Sequence, residues 1–448
     1  MVRLTKLDVK GFKGIQSISL KPGGLNIITG RNNAGKTSLL EAIAVLSDPT
    51  TLENFGDYAT AVINKQGEET SLHGEYWREQ LSLDQYDEEG QPSDPLSRSV
   101  KIRQANDKEV YETAISRINQ DIPEETAQVS LFPLRRGNLH LRQDARKSNH
   151  PDEVALAKIL HEALTDSLLS IPEEEIIDLL SDDVLAVKIE DQQRYLFSVS
   201  RSYQEIIHQI VESATETLLD DERIVSEASE VESESQALFR LVGSVFSPRG
   251  RKRVQLLGGP SPTVSGIHYL DEIPTKAEEI DYEDNPVRVN RVENYLQNHE
   301  IVDSLEDFSF TDLVFQKGED QPYDVPFHFM GDGFKTIVGI LWELFDESND
   351  GDVLLIEEPE QHMHPGYIEQ LTRTLIQISK EERLQLFITT HNTDFLESFI
   401  SKEVQNQYGE YLQNEFCLFQ LSEPMNRFLS YEDAKEDMNN LNLDLRGP

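Results

Sequence analysis

The stretch Leu25-Asn26-Ile27-Ile28-Thr29-Gly30-Arg31-Asn32-Asn33-Ala34-Gly35-Lys36-Thr37-Ser38 decides the fold. An apolar run suited to a buried strand leads into Gly30, and Gly30 to Thr37 fits G-x-x-x-x-G-K-[ST] without mismatch. A helix is expected from Lys36, with Leu39, Leu40, Ile43 and Leu46 on its apolar face. Each fixed position has a chemical reason. Gly30 and Gly35 let the backbone turn, so that the N–H groups across Asn32, Asn33 and Ala34 point at phosphate oxygens. The helix start, through Ser38, adds its positive end. Lys36 is expected to reach the β- and γ-phosphates of ATP, and Thr37 to ligate Mg2+. At average composition such a match arises by chance in about one chain in fifty of this length. The strand before it and the helix after it sharpen the signal.

A second stretch supplies the acids such a loop needs. Leu354-Leu355-Ile356-Glu357-Glu358-Pro359-Glu360 reads as a buried strand ending in carboxylates. Acids at that place cannot be core residues without a partner. Glu357 is expected to hold the Mg2+ shell through water, and Glu358 to orient the attacking water or take its proton.

The chain has 448 residues, enough for two or three compact units, and 38% of them are hydrophobic. No apolar run approaches the ~20 residues of a membrane span. The first eight residues lack the apolar stretch of a secretion signal. A soluble, cytoplasmic protein with no membrane partner is expected. Cys417 is the single cysteine, which excludes an intrachain disulfide and a cysteine zinc cluster. Against 41 basic residues stand 82 acidic ones, a net charge of -41. The acids are spread along the chain (279–283, 300–307, 346–352), as on a solubilising surface from a salt-loving, halophilic cytoplasm. The alternative is an acidic face made for a basic partner.

The rest of the chain places these motifs. Leu4, Leu7, Val9 and Phe12, then Ile15, Ile18 and Leu20, alternate like strands. Residues 50–145 look mixed, with strands at 71–77 and 100–103 and a loop at 90–95. From Asp152 the pattern is helical. Faces run through Val154 to Leu164 and Ile176 to Leu180, and a long helix is expected from Tyr203 to Val242. The Pro/Gly-rich 247–262 segment reads as a loop. From Gly266 strand and helix return, with Leu386–Thr389 a further buried strand and a helix around 368–378. The expected domains are 1–50, an N-terminal lobe with the phosphate loop; 51–265, an insertion; and 266–448, a C-terminal lobe. The fold class is α/β, a mixed sheet with flanking helices split by a largely helical insertion.

Three further stretches complete an ordered set: Met330-Gly331-Asp332-Gly333-Phe334-Lys335, opening an apolar helix; His362-Met363-His364-Pro365; and Thr389-Thr390-His391-Asn392 at a strand end. With Phe12-Lys13-Gly14-Ile15 and the phosphate loop, the chain resembles the ABC-type P-loop NTPase heads of the SMC/RecF/OLD group. Within it, the chain looks like the stand-alone AAA-type ATPases related to OLD nucleases. The resemblance covers roughly residues 1–50 and 265–448. It implies that Gly331, Asp332 and Gly333 form a signature loop touching the γ-phosphate of ATP on a second copy. It implies that His391 is a switch histidine contacting γ-phosphate. It also implies that Glu360 begins a loop crossing the dimer interface. ATP is then sandwiched in a homodimer whose hydrolysis opens it. The sequence departs from the family at Gly331, where a serine is usual, and at Glu357, where many members have Asp. Both departures point to slow turnover. No residue stands out as the glutamine of the usual Q-loop.

OLD nucleases carry a C-terminal Toprim domain, and fewer than 60 residues follow His391. They read as one strand, 416–421, a short helix and a tail at 441–445. The expectation is a motor or sensor subunit of a DNA-maintenance or anti-phage defence complex, with a separate effector, a nuclease or toxin. The alternatives are a RecF-like repair ATPase acting directly on DNA, and an ATP-dependent scaffold with little turnover. Two basic clusters, Arg135-Arg136 with Arg142, Arg146 and Lys147, and Arg249 with Arg251-Lys252-Arg253, are either DNA contacts or local charge balance. His362 and His364 are read as holding the post-strand turn and interface, ahead of a metal site.

Overall fold

The computed structural model describes residues 2–63, 69–78, 96–122, 129–131, 141–143, 151–220, 236, 238–239, 242–243, 254–258, 263–264, 266–270, 272–299, 301–316, 321–346, 352–361, 363–422 and 426–439. Its contacts divide the chain into two compact units. The first is Met1–Pro49, Asn64–Val100 and Ser261–Pro448; the second is Thr50–Ile63 and Lys101–Pro260.

The first unit begins with β1 (Val2–Phe12), paired antiparallel with β2 (Ile15–Leu20) on one side and β4 (Glu69–Arg78) on the other. Leu4, Leu7, Val9 and Phe12 are buried, although Leu4 and Leu7 are three apart. A register shift between Leu4 and Lys6 accounts for the odd step, since one extra residue returns the next side chain to the core face. β4 includes the strand expected at 71–77, and it places residues 64–100 in the first unit. The insertion is therefore not the single block 51–265. Between β2 and β4 lie β3 (Leu25–Gly30), wholly buried, and α1 (Lys36–Ser47), whose Leu39, Leu40, Ile43 and Leu46 are fully covered. Buried Asn26 in β3 is satisfied: its amide donates to the Gly23 and Leu386 carbonyls at 3.0 and 2.9 Å.

The second unit is largely helical, as expected, but it also carries strands. The chain enters it along β5 (Leu96–Gln104). There α2 (Asp107–Asp121) starts on a capping box, Asn106 with Glu109. A short antiparallel pair follows, β6 (Val129–Leu131) and β7 (Leu141–Gln143). Then come α3 (Pro151–Ser170) and α4 (Glu173–Leu180), as expected. The next elements, β8 (Val184–Ile189) and β9 (Gln192–Ser198), form a hairpin that the sequence reading missed. α5 (Arg201–Leu219) ends at Leu219, and most of the remaining stretch expected to be helical to Val242 lies outside the described residues. β10 (Val254–Leu257) pairs with β9 inside the segment expected to be a loop. The helices bury Val110, Ile118, Leu160, Leu164, Ile206 and Ile210 in one apolar cluster. The expected 90–95 loop, the 441–445 tail and His362 lie outside the described residues, as do the basic clusters, apart from the backbone of Arg142.

The chain then returns to the first unit. Its elements are β11 (Ile267–Leu270), α6 (Pro286–Asn298), the antiparallel strands β12 (Leu305–Phe308), β13 (Asp312–Phe315) and β14 (Tyr323–Pro326), and α7 (Asp332–Leu344). β15 (Val353–Glu357), α8 (Pro365–Glu381), β16 (Gln385–Thr390) and α9 (Thr393–Phe399) follow. The chain closes with α10 (Lys402–Glu415), β17 (Phe416–Leu421), β18 (Arg427–Ser430) and α11 (Tyr431–Asn439). Where one strand and a short helix were expected after His391, the structure adds α9, α10 and β18.

These strands build a sheet in the order β11-β15-β16-β3-β17-β18, parallel except for the edge strand β18. β3, β15 and β16 are adjacent and run the same way, with Glu357 opposite Thr389 and Thr390 opposite Thr29. Their carboxyl ends, and the three loops that leave them, therefore meet at one edge of the sheet. That edge is where open α/β sheets bind ligands. The core behind it is rich in aromatic side chains, with Phe308, Phe310, Phe327, Phe334 and Trp342 in one cluster. Among the described residues no helix is long and apolar enough to cross a membrane.

Candidate active site

The loop between β3 and α1 adopts the backbone its glycines permit. Gly30 has φ +152° and Gly35 +91°, both in the region L side chains avoid, and Asn33 joins them at +70°. Gly35 is also the helix N-cap, and no side chain caps α1. The first-turn N–H groups, from Lys36 through Ser38, are thus left for a ligand rather than a neighbouring oxygen. Lys36 is buried, its ammonium 3.2 Å from the Gly30 carbonyl and 3.4 Å from that of Arg31. A cavity of about 290 Å3 lies beside the loop, lined by Ile15, Ile18, Asn33, Ala34, Leu421 and Asn426 among others.

The two acids at the end of β15 take separate positions. Glu357 turns to the phosphate loop: its Oε1 accepts a hydrogen bond from the Thr37 hydroxyl, and its Oε2 one from Tyr269 at 3.1 Å. A hydroxyl beside a carboxylate is the hard-oxygen pair that suits Mg2+, with phosphate and water completing the shell. Glu358, at φ +41°, turns to β16. Its Oε1 lies 2.8 Å from His391 Nδ1 and 3.9 Å from the Lys36 ammonium. Its backbone N–H donates to the Thr389 carbonyl at 3.1 Å, and Gln361 donates to its Oε2 at 3.3 Å. A carboxylate held between an imidazole and an ammonium has its orientation fixed before any substrate arrives.

Lys36, Thr37, Glu357, Glu358 and His391 are therefore brought together, from three loops far apart in sequence. Gly331, Asp332 and Gly333 stand at the start of α7, where no side chain caps the helix. Asp332 pairs with Lys335 at 3.6 Å. A Cβ on Gly333 would come within 2.5 Å of Tyr367 Cβ, so this glycine has a packing reason of its own. The contacts of these three residues run to their own helix and to Tyr367. His364 caps α8, its Nδ1 accepting from the Gly366 N–H at 3.1 Å.

Three features were not legible in the sequence. Tyr269 reaches Glu357 from the neighbouring strand β11. Lys13, at the β1–β2 turn, lies 2.5 Å from Glu41 of α1. Burial pushes the Glu41 carboxyl up and the nearby Glu357 adds to it, while Lys13 opposes them. Glu360, expected to begin an interface loop, is buried, 3% exposed, and accepts from the Thr390 hydroxyl. Burial pushes its carboxyl up to about 7.

Comparison with known proteins accords with this geometry. A local segment is 48% identical over 48 residues to the DNA replication and repair protein RecF of Teredinibacter turnerae, covering 10% of this chain and 13% of that protein. The RecF of Pseudoalteromonas translucida is 38% identical over 81 residues, 18% of this chain and 22% of that one. The chain thus spans well under a third of the length of these curated relatives. Among solved structures, the SMC head domain from Thermotoga maritima aligns over 96% of this chain and 98% of that one at 10% identity, with a TM-score of 0.41. A Pyrococcus furiosus Smc head with an extended coiled coil, bound to the C-terminal domain of ScpA, aligns over 99% and 100% at 13% identity and TM-score 0.38. Superpositions this loose leave the assignment to the family model. That model, the AAA ATPase domain, matches residues 3–396, from β1 through the phosphate loop, the acidic strand end and His391. The chain belongs to the AAA ATPase domain family.

Proposed function

We propose that the protein binds ATP with Mg2+ at the carboxyl edge of its parallel sheet and hydrolyses it as a dimer. The observation that carries this reading is the convergence of Lys36, the Thr37–Glu357 pair and the Glu358–His391 pair. The loop amides of residues 30–38 and the start of α1 cradle the phosphates, and Lys36 neutralises the β- and γ-phosphates. The cavity beside Asn33 takes the base, between the apolar Ile15, Ile18 and Leu421 and the amide of Asn426. Thr37 and Glu357 hold Mg2+, whose chemistry there is to neutralise charge on the phosphate oxygens. Glu358 takes the proton of the attacking water as its oxygen adds to the γ-phosphorus and the β–γ bridge breaks, releasing ADP and phosphate. His391 orients that carboxylate and senses the γ-phosphate. The uncapped start of α7, with Gly331, Asp332 and Gly333, meets the γ-phosphate on the second copy, an anion at a helix N-terminus.

Glu358→Gln tests this, because it keeps the shape and removes the base. With ATP and Mg2+ it is expected to form a dimer by light scattering and to lose turnover; with ADP, or in Lys36→Ala, it is expected to stay monomeric. A Glu358→Gln protein that remains monomeric with ATP would sink the sandwich.

In the cell this ATPase is proposed as the motor or sensor of a DNA-maintenance or anti-phage defence complex, in the cytoplasm, controlling a separate nuclease or toxin. A second reading, favoured by the local RecF similarity, is a repair ATPase acting directly on DNA. Duplex DNA separates the two: the second reading requires binding without a partner, weakening as salt rises.

A further inference from the structure

The turn after β15 and the end of β16 are joined by more than the Glu358–His391 contact. The Glu358 N–H donates to both the carbonyl and the hydroxyl of Thr389, at 3.1 and 3.2 Å. One residue on, the Thr390 hydroxyl donates to Oε1 of Glu360 and accepts from the Asn392 N–H at 3.0 Å. His391 sits between Thr390 and Asn392, so this one hydroxyl grips the backbone on both sides of the histidine. The Asn392 side chain completes the fixture by accepting from the N–H groups of Asp394 and Phe395 at the start of α9.

Glu360 is the odd member. It is 3% exposed, and its Oε2, buried, has no hydrogen-bond partner in the structure. Burying a carboxylate with half its acceptors unmet costs several kcal/mol, so an acid is kept at such a place against its own desolvation. A residue that served packing alone would be better apolar.

We propose that Glu360 is a positioning residue for the His391–Glu358 pair: its buried carboxyl, acting through the Thr390 hydroxyl, fixes the backbone that carries His391. Glu360 touches no substrate in this account. It sets the angle at which His391 meets Glu358, and with it the aim of the base. The inference rests on the reading of Glu358 and His391 as hydrolytic residues.

The neutral form suffices for this task, because only one oxygen has to accept. The protein should therefore accept an amide at this position and not a methyl group. Glu360→Gln keeps an acceptor for Thr390; Glu360→Ala removes it, and Thr390→Val removes the hydroxyl from the other side. We expect Glu360→Ala and Thr390→Val each to lower kcat about ten-fold or more, the usual scale for a lost orienting partner, with the affinity for a fluorescent ATP analogue changed less than about three-fold. Glu360→Gln is expected to restore kcat to within about three-fold of wild type. Equal losses in Glu360→Gln and Glu360→Ala would overturn the proposal, as would a Glu360→Ala protein with normal kcat.

A second readout does not depend on turnover. With histidine labelled at its ring carbon, the His391 resonance (assigned by Glu358→Gln and His391→Gln) is expected to shift and broaden in Glu360→Ala and to return in Glu360→Gln. An unmoved resonance in Glu360→Ala overturns the positioning role. If instead wild type shows no hydrolysis above Lys36→Ala while the resonance behaves as expected, the catalytic reading has failed and the fixture stands.

Discussion

Glu357 and Glu358 are neighbours in sequence, yet they meet different partners: one faces Thr37 and Tyr269, the other His391 and Lys36. Removing the Tyr269 hydroxyl should loosen only the first. Tyr269→Phe is expected to weaken Mn2+ binding to the ATP-loaded protein by about ten-fold, read by electron spin resonance, while ATP affinity without metal is unchanged. Unaltered Mn2+ affinity would remove Tyr269 from the site. Glu360 gives a second residue-level prediction. Its carboxyl is raised to about 7 from 4.5, so the folded state holds a proton that the unfolded chain releases. Its stabilising share is whole below about pH 4.5 and is lost as pH rises towards 7, up to about 3 kcal/mol. Glu358 raises it and His391 lowers it, each by less than burial does. Denaturant titrations from pH 4.5 to 8 should show wild type losing stability relative to Glu360→Gln across that window; parallel curves would contradict it. The individual site residues were legible because each sits in a short ordered motif. Their pairings were not. Thr37 and Glu357 are 320 positions apart and Tyr269 and Glu357 are 88 apart, joined only by the strand order of the sheet.

At the scale of elements, the legible pieces were those with a strong single period. β3, β15 and β16 are short, mostly apolar runs, and α1, α7 and α8 carry apolar residues at helical spacing. The β8–β9 hairpin was missed for a physical reason. Its turn, Glu190-Asp191, has no glycine or asparagine, and Glu190 itself takes the left-handed φ of +53° that usually announces one. The hairpin also lies between strongly helical patterns. α7 shows the reverse, a glycine that reads as a weak point and is required. A Cβ on Gly339 would lie 2.2 Å from the Pro274 carbonyl oxygen, and backbone cannot easily move aside. Gly339→Ala should therefore destabilise the protein by about 1–3 kcal/mol, the range for overpacking, despite alanine's better helix propensity. A denaturation midpoint equal to or above wild type would contradict this packing.

For the whole molecule the dominant quantity is charge, -41 in all. Self-repulsion of that size opposes compaction, and its range shrinks from ~10 Å at 0.1 M salt to ~3 Å at 1 M. We propose a salt-adapted surface, with a denaturation midpoint that climbs steadily from about 0.1 to 2 M KCl; a flat profile would end that idea. The same charge disfavours a bare phosphate backbone, which makes DNA stimulation of the ATPase an informative result rather than an expected background. Function turns on whether the loop, the two acids and the histidine form one hydrolytic site. The most direct test is steady-state ATP hydrolysis by wild type and Lys36→Ala in molar KCl, with and without duplex DNA. The account predicts slow turnover by wild type and a loss of about a hundred-fold or more in the mutant. Wild-type activity no higher than that of Lys36→Ala, with or without DNA, would contradict it.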